Sequence, residues 1–305
     1  MTHPSRARGL FFCAIACMAA VLALVPADAF AWGPGVHMAT ANWLFANTGV
    51  LPALTGQLIA SHREAFLYGC LSADIFIGKG CAFKPGHSHN WETGRKLLDS
   101  ARAPRLKAYA LGYLSHLAAD IVAHNNYVPA MLSATPGSGK LSHVYIEAQA
   151  DRLVRWDTRI ALRLFENAHA KDADTTLCSA TSAGRVPFML KKQVFKHSVA
   201  LAGGMPWRTS LRLFRRIAPE AQDTELFGSM MDASLRAVVS VLSDPYDSPV
   251  TGLDPIGEQS LRDAKALCCG RAPLAFRKPF PLRFPLHPAL AGLAALPRSP
   301  LGMRI

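Results

Sequence analysis

The sequence predicts an all-α protein, and three observations predict it. No stretch alternates apolar and polar residues with the period of two that a half-buried strand needs. Apolar residues recur instead at three- and four-residue spacing through successive segments, with Gly-, Pro- and Asn-bearing stretches between them. Half of the 305 residues are hydrophobic, enough to cover the inner faces of many helices.

The chain begins as an export signal. Arg6 and Arg8 form a charged start, Gly9 to Val25 an apolar run, and Ala29, Phe30 and Ala31 a small-x-small cleavage site. Residues 1–31 are therefore expected to be removed, leaving Trp32 as the new N-terminus in a periplasmic or extracellular protein. An uncleaved anchor is the alternative, since the run is near the lower limit for a span. There is no lipobox, and nothing later in the sequence reads as a membrane helix. Cys13 and Cys17 leave with the signal, so five of the seven cysteines remain: Cys70, Cys81, Cys178, Cys268 and Cys269. An exported compartment permits disulfides. Cys70 and Cys81 flank a short loop that a bridge would close, and the odd number leaves one thiol free or paired between chains.

Residues 32–270 read as one helical domain. Gly33, Pro34 and Gly35 delay the first helix, which starts at His37 and runs through Trp43 and Phe45. A second helix covers Leu51 to Leu67. Asp74 then stands inside an apolar run, unusual unless it is paired or bound to metal. Gly78, Gly80, Pro85 and Gly86 mark a loop that ends in His87 and His89, just before Trp91. Glu92 to Ala103 reads as a helix capped by Asn90 or Thr93. Tyr109 to Asn126 is free of Pro and long enough for about five turns. After a Gly- and Ser-bearing loop at 135–140, a further helix runs from Leu141 to about Asn167. Residues 172–184 read as a loop or short helix. Pro187 to Leu201 is amphipathic and basic, with Lys191, Lys192, Lys196 and His197; Trp207 to Ile217 adds Arg208, Arg212, Arg215 and Arg216. Solvated helix faces account for these charges, and so does a surface for an anionic membrane or partner. Glu220 to Leu242 and Ile256 to Cys268 complete the helices. Residues 271–305 hold seven prolines and six basic residues with no acid, and read as an extended tail that drapes over the domain or adsorbs to anionic lipid.

The formal charge is +12 with a pI near 9.6. An excess of this size favours anionic partners, whether phospholipid surfaces, nucleic acid or an acidic substrate, without choosing among them; solubility alone also accounts for it. No Gly-rich phosphate loop, Gly-x-Ser-x-Gly elbow, basic helix-turn-helix pattern or internal repeat is present.

The chemistry concentrates on two helices. His116, Asp120 and His124 stand at i, i+4 and i+8, within roughly 80° of one another on one helix face. The rest of that helix is apolar, so the stripe points into packed interior or a cleft, where unpaired ionisable groups are costly. Two imidazoles flanking a carboxylate suit a first-row divalent metal, most readily zinc. His143 and Glu147 repeat the pattern at i and i+4 on the next helix, and ligands on facing helices are how metal sites form inside bundles. Asp151, one turn further on, reads as a supporting partner or helix salt bridge rather than a ligand. His37 lies beside a freshly cut N-terminus whose amine, with a reference pKa near ~8, can lose its proton to a metal.

Taken in chain order, Trp32, His37, Asp74, His89, His116, Asp120, His124, His143 and Glu147 resemble the ligand set of the zinc-dependent phospholipase C family. That family is similar to the single-strand-specific zinc nucleases and to the N-terminal domain of glycosylphosphatidylinositol-specific phospholipase D. The resemblance spans residues 32 to 155 and implies a multi-helix bundle of the phospholipase C and zinc nuclease type, with up to three zinc ions. It implies that Trp32 binds one zinc through its amine and carbonyl, together with His37. Asp120 would bridge to a second zinc that also takes Asp74, His89 and His116, while a third takes His124, His143 and Glu147. His89 is preferred to His87 for its distance from Asp74 and the aromatic region after it. The short spacing from Asp120 to His124 is closer to the glycosylphosphatidylinositol-cleaving relatives. The absence of a carboxylate between Trp32 and His37 departs from phospholipases that have one near a choline site.

The resemblance implies an exported phosphodiesterase, a phospholipase C in which metal-activated water attacks the diester and Asp74 serves as general base as well as ligand. Its expected partners are a phospholipid or other phosphodiester and an anionic membrane surface, with no stable protein partner. The same metals would serve a single-strand nuclease, which needs aromatic stacking platforms such as Trp43, Trp91, Tyr127 or Tyr145. A non-catalytic, metal-stabilised lipid- or envelope-binding module is the third expectation.

Overall fold

The computed structural model describes residues 32–76, 87–134, 140–205, 207, 209, 211, 223–268 and 283–297. The expected export signal at 1–31, Cys81, Cys269, Arg208, Arg212, Arg215, Arg216 and the rest of the Pro-rich tail lie outside these residues. Among the described residues all regular structure is helical.

The helices run in order as α1 (Pro34–Ala46), α2 (Ala53–Ser61), α3 (Arg63–Ser72), α4 (Trp91–Ser100), α5 (Pro104–Val122), α6 (Val128–Ala134) and α7 (Lys140–Leu153). They continue as α8 (Thr158–Glu166), α9 (Ala170–Thr181), α10 (Arg185–Ala202), α11 (Thr224–Ser243), α12 (Glu258–Cys268) and the short α13 (Pro288–Ala291).

The bundle is built around α5. Pro104 sits in its first turn, where a missing N–H costs nothing, and every residue from Ala108 to Val122 is buried. A helix buried on all sides must be surrounded, and α3, α4 and α11 surround it. The crossing with α3 is unusually close. A Cβ on Gly112 would stand 2.0 Å from Phe66 O, and one on Gly69 would stand 2.1 Å from Tyr109 O. Only glycines allow the two backbones to touch in this way.

Several boundaries differ from the sequence expectation. The segment 51–67 is two helices, because the chain turns at His62 between α2 and α3. The helix after Leu141 ends at Leu153 rather than Asn167. Asp157 then starts α8, its side chain accepting from Arg159 N at 2.8 Å. Residues 172–184 fall largely within α9. At the end of α5 the backbone widens into a π turn at Ala123–Tyr127 before α6 begins. α11 is the one helix among the described residues long and apolar enough to cross a membrane, by length and composition only, and most of it is buried inside the bundle.

One charged expectation also changes. Lys192 does not face solvent with the other basic residues of α10. It is buried, and its Nζ lies 2.6 Å from Asp174 Oδ2 on α9. Tyr68 donates its hydroxyl to the other oxygen of the same carboxylate. The described part of the tail packs on the domain: Asn126 Nδ2 donates to Phe284 O at 3.1 Å and Pro285 O at 2.7 Å, and Phe284 and Leu290 are buried. Cys70 and Cys178 are free thiols among the described residues, and Cys81, the partner that a loop-closing bridge would need, lies outside them. Burial pushes the Cys70 thiol up to about 12.

Candidate metal centre

The centre forms where α3 and α5 diverge beyond their glycine crossing. α3 passes into a single 3-10 turn, Ala73–Ile75, which turns Asp74 inward to a buried position. One turn past Gly112 on α5, His116 is buried, with Asp120 buried on the next turn. His89 arrives from the short loop before α4. Asn90 caps that helix by accepting from Glu92 N at 2.8 Å. The loop is tied down on both sides: Tyr113 donates its hydroxyl to Ser88 O, and Thr93 Oγ1 donates to His87 O at 2.7 Å.

Asp74, His89, His116 and Asp120 form a candidate metal site, their ligand atoms all within 4.8 Å of one another. His89 Nε2 lies 3.3 Å from Asp74 Oδ1 and 3.4 Å from Asp120 Oδ2. His116 Nε2 lies 3.6 Å from Asp74 Oδ1 and 3.2 Å from Asp120 Oδ2. The two Nε2 atoms are 3.0 Å apart. His116 Nδ1 is 2.9 Å from Cys70 O, so Nδ1 carries the proton and the neutral ring turns a lone pair on Nε2 toward the cluster. Two buried carboxylates and two imidazoles whose ligand atoms converge are the donor set of a divalent cation of the zinc type.

Other predicted residues gather around Asp120. His37 Nε2 is 3.2 Å from Asp120 Oδ1, and its ring stacks on His116 with centroids 4.0 Å apart. Burial holds the His37 pKa below its ordinary value, with the neighbouring His116 imidazole acting the same way and Asp120 and Asp74 opposing. The main-chain N of Trp32 is 3.4 Å from the same Asp120 Oδ1. The Trp32 side chain is fully buried, its Nε1 donating to Ser234 Oγ at 3.1 Å and its ring packed on Tyr127 and Phe227. The π turn carries His124, whose Nδ1 is 4.0 Å from Asp120 Oδ2 and 2.6 Å from Pro255 O. A nitrogen that close to a carbonyl carries the proton, which makes Nε2 the lone-pair nitrogen of the neutral ring.

His143 and Glu147 pair on α7, His143 Nε2 lying 3.0 Å from Glu147 Oε1 in a buried setting. Asp151, on the same helix, accepts from Val36 N at 2.9 Å at the start of α1, and Gly33 and Gly35 lie directly against its carboxylate. It therefore fixes the segment that links Trp32 to His37. Burial pushes the Asp151 carboxyl up to about 7, opposed by the Gly35 and Val36 N–H groups and reinforced by the charges of Glu147 and Asp74. His87 is outside the cluster; its Nδ1 accepts from His89 N at 3.2 Å.

Three contributors escaped the sequence reading. Tyr113 had a signal, since it stands at i−3 from His116 and i−7 from Asp120 on the same face. Pro255 O and Ser234 had none, because they come from segments remote in the chain.

Residues 36–185 match the family model described as zinc-dependent phospholipase C. No curated protein and no solved structure matches the chain. With this match and an all-helical fold around a buried carboxylate and imidazole cluster, residues 36–185 form a domain of the zinc-dependent phospholipase C family.

Proposed function

We propose that the protein is an exported phospholipase C that hydrolyses the glycerol–phosphate ester of phospholipids. The observation that carries this reading is the environment of Asp120, whose two oxygens face different partners. Oδ1 faces Trp32 N and His37, and Oδ2 faces His89 and His116. A carboxylate so placed suits the bridging role that the family resemblance gives it. In this reading Trp32 and His37 would hold one zinc, Asp74, His89 and His116 a second, and His124, His143 and Glu147 a third. Bound there, zinc would supply an activated water and neutralise charge on the diester.

The chain's own residues do the rest. Asp74 takes, at a carboxylate oxygen, the proton that the attacking water loses. As the new P–O bond forms, the bond from phosphorus to the glycerol oxygen breaks. The proton passes to that departing oxygen, leaving a diacylglycerol and a phosphorylated head group. Burial of Asp74, His89, His116 and Asp120 keeps bulk water from screening these charges.

The nuclease reading is weakened by the aromatic residues it requires. Trp43, Trp91, Tyr127 and Tyr145 are all buried, so none offers a free ring face to a base. The test uses zinc-loaded protein beginning at Trp32, with phospholipid vesicles and single-stranded DNA as parallel substrates. Release of diacylglycerol with intact DNA is expected. DNA cleavage with intact lipid would replace this reading by the nuclease, and zinc binding with neither activity would replace it by the non-catalytic module.

A further inference from the structure

α10 has two unlike faces. Phe188, Lys192, Phe195 and Val199 recur at helical spacing and are buried. On the other side of its first two turns, Val186, Met189 and Leu190 are exposed to 80%, 40% and 68%. At i, i+3 and i+4 they share one face. Exposed apolar side chains scattered singly are ordinary, but three together at the tip of one helix mark a contact surface.

The surroundings of this tip are basic. Exposed Arg185 opens the helix, and Lys191 Nζ lies 5.8 Å from the centroid of the Phe76 ring. Arg185, Met189 and Lys171 line a cavity of about 540 Å³ between α9 and α10. The two acids along that cavity, Asp174 and Glu166, are already engaged by Lys192 and Lys196. Arg185 and Lys171 form no ion pair among the described residues.

The tip is also joined to the metal centre. Phe76, two residues beyond Asp74, packs on Phe188 with ring centroids 5.5 Å apart. Helix α10 thus rests on the turn that carries the proposed general base.

We propose that the N-terminal tip of α10 is the surface by which the protein docks on an anionic phospholipid bilayer. Val186, Met189 and Leu190 enter the boundary between head groups and acyl chains, while Arg185 and Lys171 face lipid phosphates. Charge complementarity selects this occupant, since the apolar tip lies within a basic rim on a protein of formal charge +12. The exposed face further along the helix carries Gln193 and His197, so the helix docks by its tip rather than its length. The proposal rests on the phospholipid-hydrolase reading, and its test separates binding from turnover.

The experiment is vesicle flotation of the zinc-loaded chain beginning at Trp32. Phosphatidylcholine vesicles are compared with vesicles that also contain phosphatidylglycerol, alongside turnover of a short-chain phospholipid kept monomeric. The paired variant Val186→Ser with Leu190→Ser is expected to bind anionic vesicles at least about tenfold more weakly. Its melting temperature and turnover of monomeric substrate should match the parent. Arg185→Gln with Lys171→Gln should lose the preference for anionic vesicles. Unchanged vesicle binding by the apolar variant overturns the proposal. So does a parent dimer in sedimentation that the same variant dissolves, which makes the tip a self-association face. If neither parent nor variants turn over monomeric substrate but the binding losses appear as stated, the docking surface stands and the hydrolase reading falls.

Discussion

The main-chain nitrogen of Trp32 stands 3.4 Å from Asp120 Oδ1, the same oxygen that lies 3.2 Å from His37 Nε2. Cleavage before Trp32 would turn that amide into an amine, a potential ligand already held beside the carboxylate. The Trp32 ring is locked in place by Ser234, Tyr127 and Phe227. Protein that begins at Trp32 should therefore carry roughly one zinc more per chain than protein with one extra residue before it. Elemental analysis of the two forms decides this. Equal zinc in both removes Trp32 from the ligand set.

Asp120→Asn keeps the shape of the side chain and removes the charge that both sides of the cluster share. Two metals should leave together. Zinc titration that shows full retention would rule out the bridging role. Asp74→Asn tests the other carboxylate: turnover should fall at least about a hundredfold if it moves the proton.

Tyr113 acts at one remove, through the loop that bears His89. Tyr113→Phe deletes the hydroxyl that donates to Ser88 O while keeping the buried ring. Supporting hydrogen bonds behind a ligand are worth tenfold or more in metal affinity. Competition with a chelator should show a loss of about tenfold, with the unfolding free energy of the metal-free protein lowered by only about 1 kcal/mol. A variant with parental affinity would make Tyr113 a core residue without influence on the metal.

Gly112→Ala places a methyl group 2.0 Å from Phe66 O, against backbone rather than a flexible side chain. Neither helix can yield without moving the centre. The substitution should destabilise the fold by about 3 kcal/mol. Denaturant unfolding measures it, and a loss below about 0.5 kcal/mol would mean that the helices separate freely.

Asp174 neutralises buried Lys192 and accepts from Tyr68. Asp174→Ala leaves an uncompensated ammonium and should cost about 3–5 kcal/mol, whereas Asp174→Ala combined with Lys192→Met should recover much of it. A double variant no better than the single one would show that the carboxylate matters for packing or for Tyr68 rather than for the charge.

The parts of this protein that were legible in the sequence are those written in local spacing. His116, Asp120 and His124 announced themselves as one stripe on an apolar helix, and His143 with Glu147 as another. Asp74 stood out because a carboxylate in an apolar run needs a reason. What was not legible depended on remote partners. Lys192 looked like one basic residue among several, because Asp174 lies a helix away in a segment of small polar residues. The break between α7 and α8 was missed because no Gly or Pro marks it; the Asp157 cap was the available signal. Pro255 O, which orients His124, is a main-chain atom and has no signature in residue type.

The contact of α3 with α5 through Gly69 and Gly112 has a consequence for how this centre tolerates change. One helix leads into the Asp74 turn and the other carries His116, and at the crossing no side chain stands between them. Their separation is thus gauged by peptide dimensions rather than by rotamers. Core side chains elsewhere can be exchanged and repacked without altering that span, so drift in the apolar interior need not detune the distance between carboxylate and imidazole.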